Sequence, residues 1–193
     1  MYRDIGRDRH RAVQAAQQLI AERPVYLDTE TTGLDSAAQI VEVSILDYDG
    51  RVLIDTLVRP TVSIPSEAAR IHGITDARVR GAPSWAEVWR EVAAALEGRQ
   101  VAIYNASFDA RLMRQSHQAH ALAWRDPSAG RTCVMELFAQ YHGQWSEFHG
   151  SYTWQSLERA RSLLRLPLSN SHRAADDARL AREVLHAIAA AEK

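Results

Sequence analysis

The run Val25-Tyr26-Leu27-Asp28-Thr29-Glu30, broken by Thr31-Thr32-Gly33, constrains this chain more than any other stretch. Apolar residues with strand character carry two carboxylates at i and i+2, so Asp28 and Glu30 share one face of the strand. Acids withdrawn from water must be neutralised, paired or bound to a cation, and no Lys or Arg lies within the run. The stretch reads as half of a metal site whose other half lies elsewhere in the chain.

At 193 residues the chain is long enough for one sizeable core. It is read as one domain over 1–193, with 1–23 as an N-terminal helical extension. The 23 basic and 24 acidic residues leave a net charge of -1, which argues against a protein that coats nucleic acid passively. Any nucleic-acid contact is then local, and metal ions can supply positive charge at the site itself. Cys133 is the single cysteine, so no internal disulfide forms; its β-like surroundings mark an inert buried thiol in a reducing compartment. The N-terminus has no apolar signal core and no window approaches the ~18 apolar residues of a membrane span, so a cytoplasmic location is expected.

Helical spacing of Ala12, Val13, Ala16, Leu19 and Ile20 predicts an amphipathic helix over 8–22, ended by Pro24. Strands over 25–30, 39–48 and 52–58, with a tight turn at Tyr48-Asp49-Gly50-Arg51, predict an antiparallel meander. A short helix over 64–75 carries Gly73 as its stop, and Pro83-Ser84 opens a helix striped by Trp85, Val88, Trp89, Val92 and Leu96. That Trp pair reads as core rather than as a base-stacking platform. Strand 101–104, a helix through about His120, strand 131–134 and helix 135–141 then alternate, which implies parallel crossovers. Residues 143–152 read as an aromatic-rich surface loop. Thr153 is the expected cap of a helix running to Leu164, and Ser171 of the last helix, from near His172 to Ala191.

Asp28-Thr29-Glu30-Thr31-Thr32-Gly33 resembles the first motif of the DnaQ-like 3'-to-5' exonucleases, the family of proofreading subunits and oligoribonuclease. Asn105-Ala106-Ser107-Phe108-Asp109 resembles the second, and His172-Arg173-Ala174-Ala175-Asp176-Asp177 the third, of the form H-x-A-x-x-D. Three motifs in order, their acids about 80 and then about 68 residues apart, are far more specific than a lone D-x-E. The resemblance implies an RNase H-like α/β fold: a five-stranded mixed sheet, strands 1 to 3 antiparallel, flanked by helices. Arg173 stands where a second branch of the family has Tyr, which favours the histidine branch (DEDDh).

The chemistry asks for the same residue types. Two-metal hydrolysis of a phosphodiester needs hard oxygen ligands for two Mg2+ or Mn2+ ions about 3.5–4 Å apart. Asp28 is the expected bridging ligand; Glu30 and Asp177 complete one metal's shell, and Asp109 holds the second. The resemblance gives His172 the role of general base, and an unperturbed imidazole, titrating near about 6.5, accepts a proton readily. Family spacing selects Asp177 over Asp176, which reads as a solvated or capping neighbour. Each residue alone has a plainer reading, Asp109 as a helix-start acid and His172 as an exposed one. By resemblance, the backbone at Thr31 and the Glu67 side chain meet the terminal 3'-hydroxyl, while Ile71, His72 and Phe108 line the terminal base and sugar. Core packing is nearly as good a reading for Ile71 and Phe108; His72, next to Gly73, has little reason to be buried and reads as a contact.

The expected function is metal-dependent release of nucleoside 5'-monophosphates from single-stranded 3' ends of DNA or RNA. Rival readings are a polymerase-associated proofreading accessory and a non-catalytic nucleic-acid-binding module. The chain ends 16 residues beyond Asp177, which favours a free-standing enzyme over one with a polymerase-binding extension. A homodimer or a polymerase partner stays open, as does the choice between sugars.

Overall fold

The structure, a computed structural model, describes residues 4–168 and 171–191. Asp4 caps the first helix, α1 (Ile5–Ala21), by accepting the Arg7 N–H at 3.0 Å, so this helix begins three residues before the apolar spacing announces it. Val25–Thr31 is β1, followed by β2 (Ile40–Leu46) and β3 (Val52–Leu57). The three pair antiparallel, with Tyr26 opposite Leu46, Asp28 opposite Ser44 and Glu30 opposite Glu42.

The expected single helix over 64–75 is two. Gly73, at φ +70°, closes α2 (Ser66–His72), because a left-handed residue ends a helix and glycine bears it without a Cβ clash. Asp76 then starts a separate turn, α3 (Asp76–Val79). Next comes α4 (Trp85–Leu96), where Glu87 accepts the Ser84 N–H at 2.6 Å. Strand β4 (Gln100–Ile103), helix α5 (Ala106–Ala119), strand β5 (Gly130–Cys133) and helix α6 (Val134–His142) supply the parallel half. The sheet order is β3-β2-β1-β4-β5, with β4 parallel to both β1 and β5. It is the expected mixed sheet.

Residues 143–152 are a small hairpin rather than an irregular loop: β6 (Trp145–Ser146) pairs with β7 (Ser151–Tyr152), and Trp145 meets Tyr152 edge to face. Thr153 continues that hairpin by donating its N–H to Gln144, so it caps no helix. Ser156 takes the role instead, accepting the Arg159 N–H at the start of α7 (Leu157–Leu164). The last helix, α8 (Ala174–Ala189), begins two residues later than expected. Ser171 does not cap it; its hydroxyl donates to Asp176 at 2.7 Å.

Strand alternation sorts the core into two layers. Tyr26, Leu46, Ala102 and Tyr104 face α1, α6, α7 and α8, whereas Val25, Leu27, Val43, Ile45, Val101 and Ile103 face α4 and α5. Trp85 is buried among the second set, with its indole N–H on His117 Nδ1 at 3.0 Å, and Trp89 packs beside it; this pair belongs to the core. Among the described residues no helix is long and apolar enough to cross a membrane.

Candidate active site

Alternation along β1 places Tyr26, Asp28 and Glu30 on the face covered by α8. Helix α8 presents alanines there: Ala174, Ala178 and Ala181 are buried, and such short side chains let its backbone lie close to the sheet. Asp177, in its first turn, thereby reaches the strand acids. Carboxylate oxygens of Asp28, Glu30 and Asp177 all lie within 4.8 Å of one another. Asp109 arrives from the other layer, on the first turn of α5, and accepts the Thr29 hydroxyl at 2.8 Å; it stands outside that trio.

Burial raises all four acids of the cluster, and for Asp28 and Glu30 repulsion from the other acids adds to it. Burial, then the charges of Asp109, Asp177, Glu30 and Glu42, push Asp28 well above the usual carboxylate range. Glu30 is pushed up to about 8 by burial and by Asp177, Glu42 and Asp109, with Arg173 opposing. Burial raises Asp109 to about 7 against the Thr29 hydrogen bond, and Asp177 to about 6 against the pull of His172. One oxygen of Asp177, Oδ1, is buried and finds no hydrogen-bond partner among the described residues. Hard oxygens held together at this energetic cost fit a divalent cation.

His172 is exposed at the entry to α8, with φ +52°, and its charge acts on both Asp177 and His72. Asp176 points away, paired with Arg179 at 3.0 Å. Beside the acids opens a cleft of about 590 Å³ whose walls include Glu30, Thr31, Leu34, Glu67, Ile71 and Phe108. Ile71 is 60% exposed, so core packing does not account for it, while Phe108 is partly buried against the α4–α5 layer.

His72 is buried, contrary to the expectation that it had little reason to be. It is 5% exposed, donates Nε2–H to the Thr31 carbonyl at 3.2 Å and accepts the Ile74 N–H on Nδ1 at 3.0 Å; burial lowers its pKa. Its side chain edges the cleft, yet its bonds tie α2 to the end of β1. Thr31 is also bound inward, its hydroxyl on the Gly33 carbonyl at 2.8 Å.

Sequence reasoning missed two features. Leu34, 77% exposed, sits on a loop held from α5: Arg111 donates to the Leu34 and Asp35 carbonyls, and Gln115 to those of Asp35 and Ala38. Glu42 lies beneath the cluster, paired with Arg173. A lone acid within Ile40-Val41-Glu42-Val43 was its visible signal.

A family model described as Exonuclease matches residues 25–185. The chain belongs to this exonuclease family. An exonuclease of Escherichia phage 186, CP81, is 36% identical over 184 residues, covering 91% of this chain and 93% of the phage protein. The DNA polymerase III epsilon subunit of Buchnera aphidicola is 31% identical over 104 residues, 49% of this chain and 45% of that subunit, so the exonuclease chain spans less than half of it by that match. Among solved structures, exonuclease X in complex with 5' overhanging duplex DNA superposes with a TM-score of 0.61 at 28% identity, over 85% of this exonuclease and 89% of that chain. The nuclease domain of 3'hExo, a DEDDh family member bound to rAMP, has a TM-score of 0.67 at 14% identity, covering 84% and 89%; that likeness concerns the fold.

Proposed function

We propose that this nuclease is a divalent-metal-dependent 3'-to-5' exonuclease acting on single-stranded 3' ends and releasing nucleoside 5'-monophosphates. The observation that carries the reading is the trio of Asp28, Glu30 and Asp177 within 4.8 Å, with Asp109 beside it and a cleft opening from the same strand end. Asp28, Glu30 and Asp177 would hold one Mg2+ or Mn2+ and Asp109 a second; bound there, the ions supply Lewis acidity and a more acidic water. The protein's own groups do the rest. His172 takes the proton from the attacking water. Thr31 offers backbone to the terminal 3'-hydroxyl, fixed in place by the bond from His72, and Glu67 accepts from the same hydroxyl. Ile71 and Phe108 provide apolar surface for the last base and sugar. Membership of the exonuclease family is the basis for preferring exo- over endonucleolytic cutting.

A single-stranded oligonucleotide labelled at its 5' end, incubated with Mn2+, tests the reading. Products shortening one nucleotide at a time with the label retained, together with free 5'-monophosphates, are expected. Early loss of the label as a mononucleotide reverses the polarity, and no Mn2+-dependent cleavage leaves the binding-module reading in its place.

A second reading places the same activity beside a polymerase. Similarity to epsilon subunits favours it, including 38% identity over 116 residues with an epsilon-like protein of Rhodobacter capsulatus, of which that match covers 16%. Co-purification with a polymerase supports that reading, and a chain that elutes alone and digests oligonucleotides unaided argues against it.

A further inference from the structure

We propose that Glu42 is a positioning residue for this site, holding Arg173 and the start of α8 so that His172 and Asp177 face the strand acids. The inference rests on the exonuclease reading above.

Glu42 is 2% exposed on β2, directly opposite Glu30 in the antiparallel ladder. A buried carboxylate facing another acid is unfavourable on two counts, desolvation and like-charge repulsion, unless a cation meets it. Arg173 is that cation. Its Nε donates to both Glu42 oxygens at 3.1 Å and its Nη2 donates to Oε1. Oε2 also accepts the Ala174 N–H at 2.9 Å. The first N–H groups of a helix lack partners within it, and Arg173, at the capping position of α8, makes no side-chain cap bond. A strand carboxylate 132 residues away in sequence thus does the capping. With both oxygens engaged, Glu42 has little left to offer a metal.

The consequence lies on either side of the clamp. Asp177 donates its N–H to the Arg173 carbonyl at 3.0 Å, so its place in the first turn follows where Arg173 is held. His172, immediately before, keeps a left-handed backbone that a non-glycine residue adopts only where its surroundings impose it. Glu42 therefore acts on the chemistry through the residues it holds.

The test compares Arg173→Ala, Arg173→Lys, Glu42→Gln and the charge-free pair Glu42→Gln/Arg173→Met, which stays informative if a lone buried charge prevents folding. With a single-stranded oligonucleotide and Mn2+, kcat should fall about 10–100-fold in Arg173→Ala, Glu42→Gln and the pair, while KM moves less than about twofold because the cleft walls are untouched. Arg173→Lys should recover part of kcat, since a point charge replaces a two-pronged donor. In the metal-free protein, amides of residues 174–177 should exchange with deuterium at least about tenfold faster in the impaired variants, with β1 unchanged. Faster exchange with wild-type kcat makes the clamp structural only and overturns the proposal. A fall in kcat with unchanged exchange, or an equal rise in KM, overturns it too. If the wild-type protein releases no mononucleotides, the exonuclease reading fails, whereas the exchange measurement still decides whether Glu42 orders the segment.

Discussion

Single carboxylates divide the labour at this strand end, and their surroundings say how. Asp28 feels the charges of Asp109, Asp177, Glu30 and Glu42, and Asp177 has an oxygen without a partner among the described residues, whereas Asp176 is spent on Ser171 and Arg179. Asp28→Ala should abolish Mn2+-dependent mononucleotide release. His172→Ala should reduce kcat by about 10²–10⁴-fold, the usual contribution of a positioned proton acceptor. Asp176→Ala, a surface change, should leave kcat within about threefold. Steady-state assays on one labelled oligonucleotide check all three, and an Asp176→Ala defect equal to that of Asp177→Ala would mean that the third motif is read one residue out of register. The i, i+2 spacing of Asp28 and Glu30 and the resemblance to the three exonuclease motifs made these residues legible as candidates. The burial of His72 was not legible, because it depends on Thr31 and Ile74 meeting its two ring nitrogens.

Helix α8 shows what an element adds. Its run of buried alanines reads in sequence as an Ala-rich apolar face, but their use is distance: only short side chains let Asp177 come within 4.8 Å of the strand acids. Ala178→Leu should cost about 1–3 kcal/mol by overpacking and lower activity by moving Asp177 away. Ala190→Leu, at an exposed position just past the same helix, serves as the control. Thermal melts and the oligonucleotide assay read the pair, and an Ala178→Leu variant with full activity would show that helix-to-strand spacing is not critical. Local caps were the least legible elements. Ser156 rather than Thr153 starts α7, and a carboxylate from β2 starts α8, because capping goes to whichever acceptor the tertiary structure brings to the free N–H groups.

At the scale of the whole molecule the acid cluster is a store of destabilising charge. Unfolded carboxylates titrate near about 4, whereas Glu30 and Asp109 in the fold reach about 8 and about 7. The folded state therefore keeps protons that the unfolded state has released. Stability from these groups is full below about pH 4 and is lost as pH rises through their folded values. His72 and His117, which are buried, and the half-buried His186 have lowered pKa values and act in the opposite sense, but only up to the unfolded imidazole value near about 6.5. Between about pH 6.5 and 8.5 the metal-free protein should thus lose Tm, and Glu30→Gln should flatten that slope. Mn2+ should raise Tm more at the upper end, because ligands bind metal deprotonated. A metal-free Tm that climbs across this window contradicts the account.

Period and spacing in the sequence pointed to the antiparallel meander and the parallel crossovers, and the three motifs that resemble those of the exonucleases singled out Asp28, Glu30, Asp109, Asp177 and His172. These are local patterns, or counts along the chain, and each survives without knowing what packs on what. Only the tertiary structure decided that Glu42 and Arg173 are partners, that His72 is a buried link and that alanines set the reach of Asp177. Those depend on which faces of distant segments meet, 131 residues apart for Glu42 and Arg173, and no local pattern encodes such a meeting.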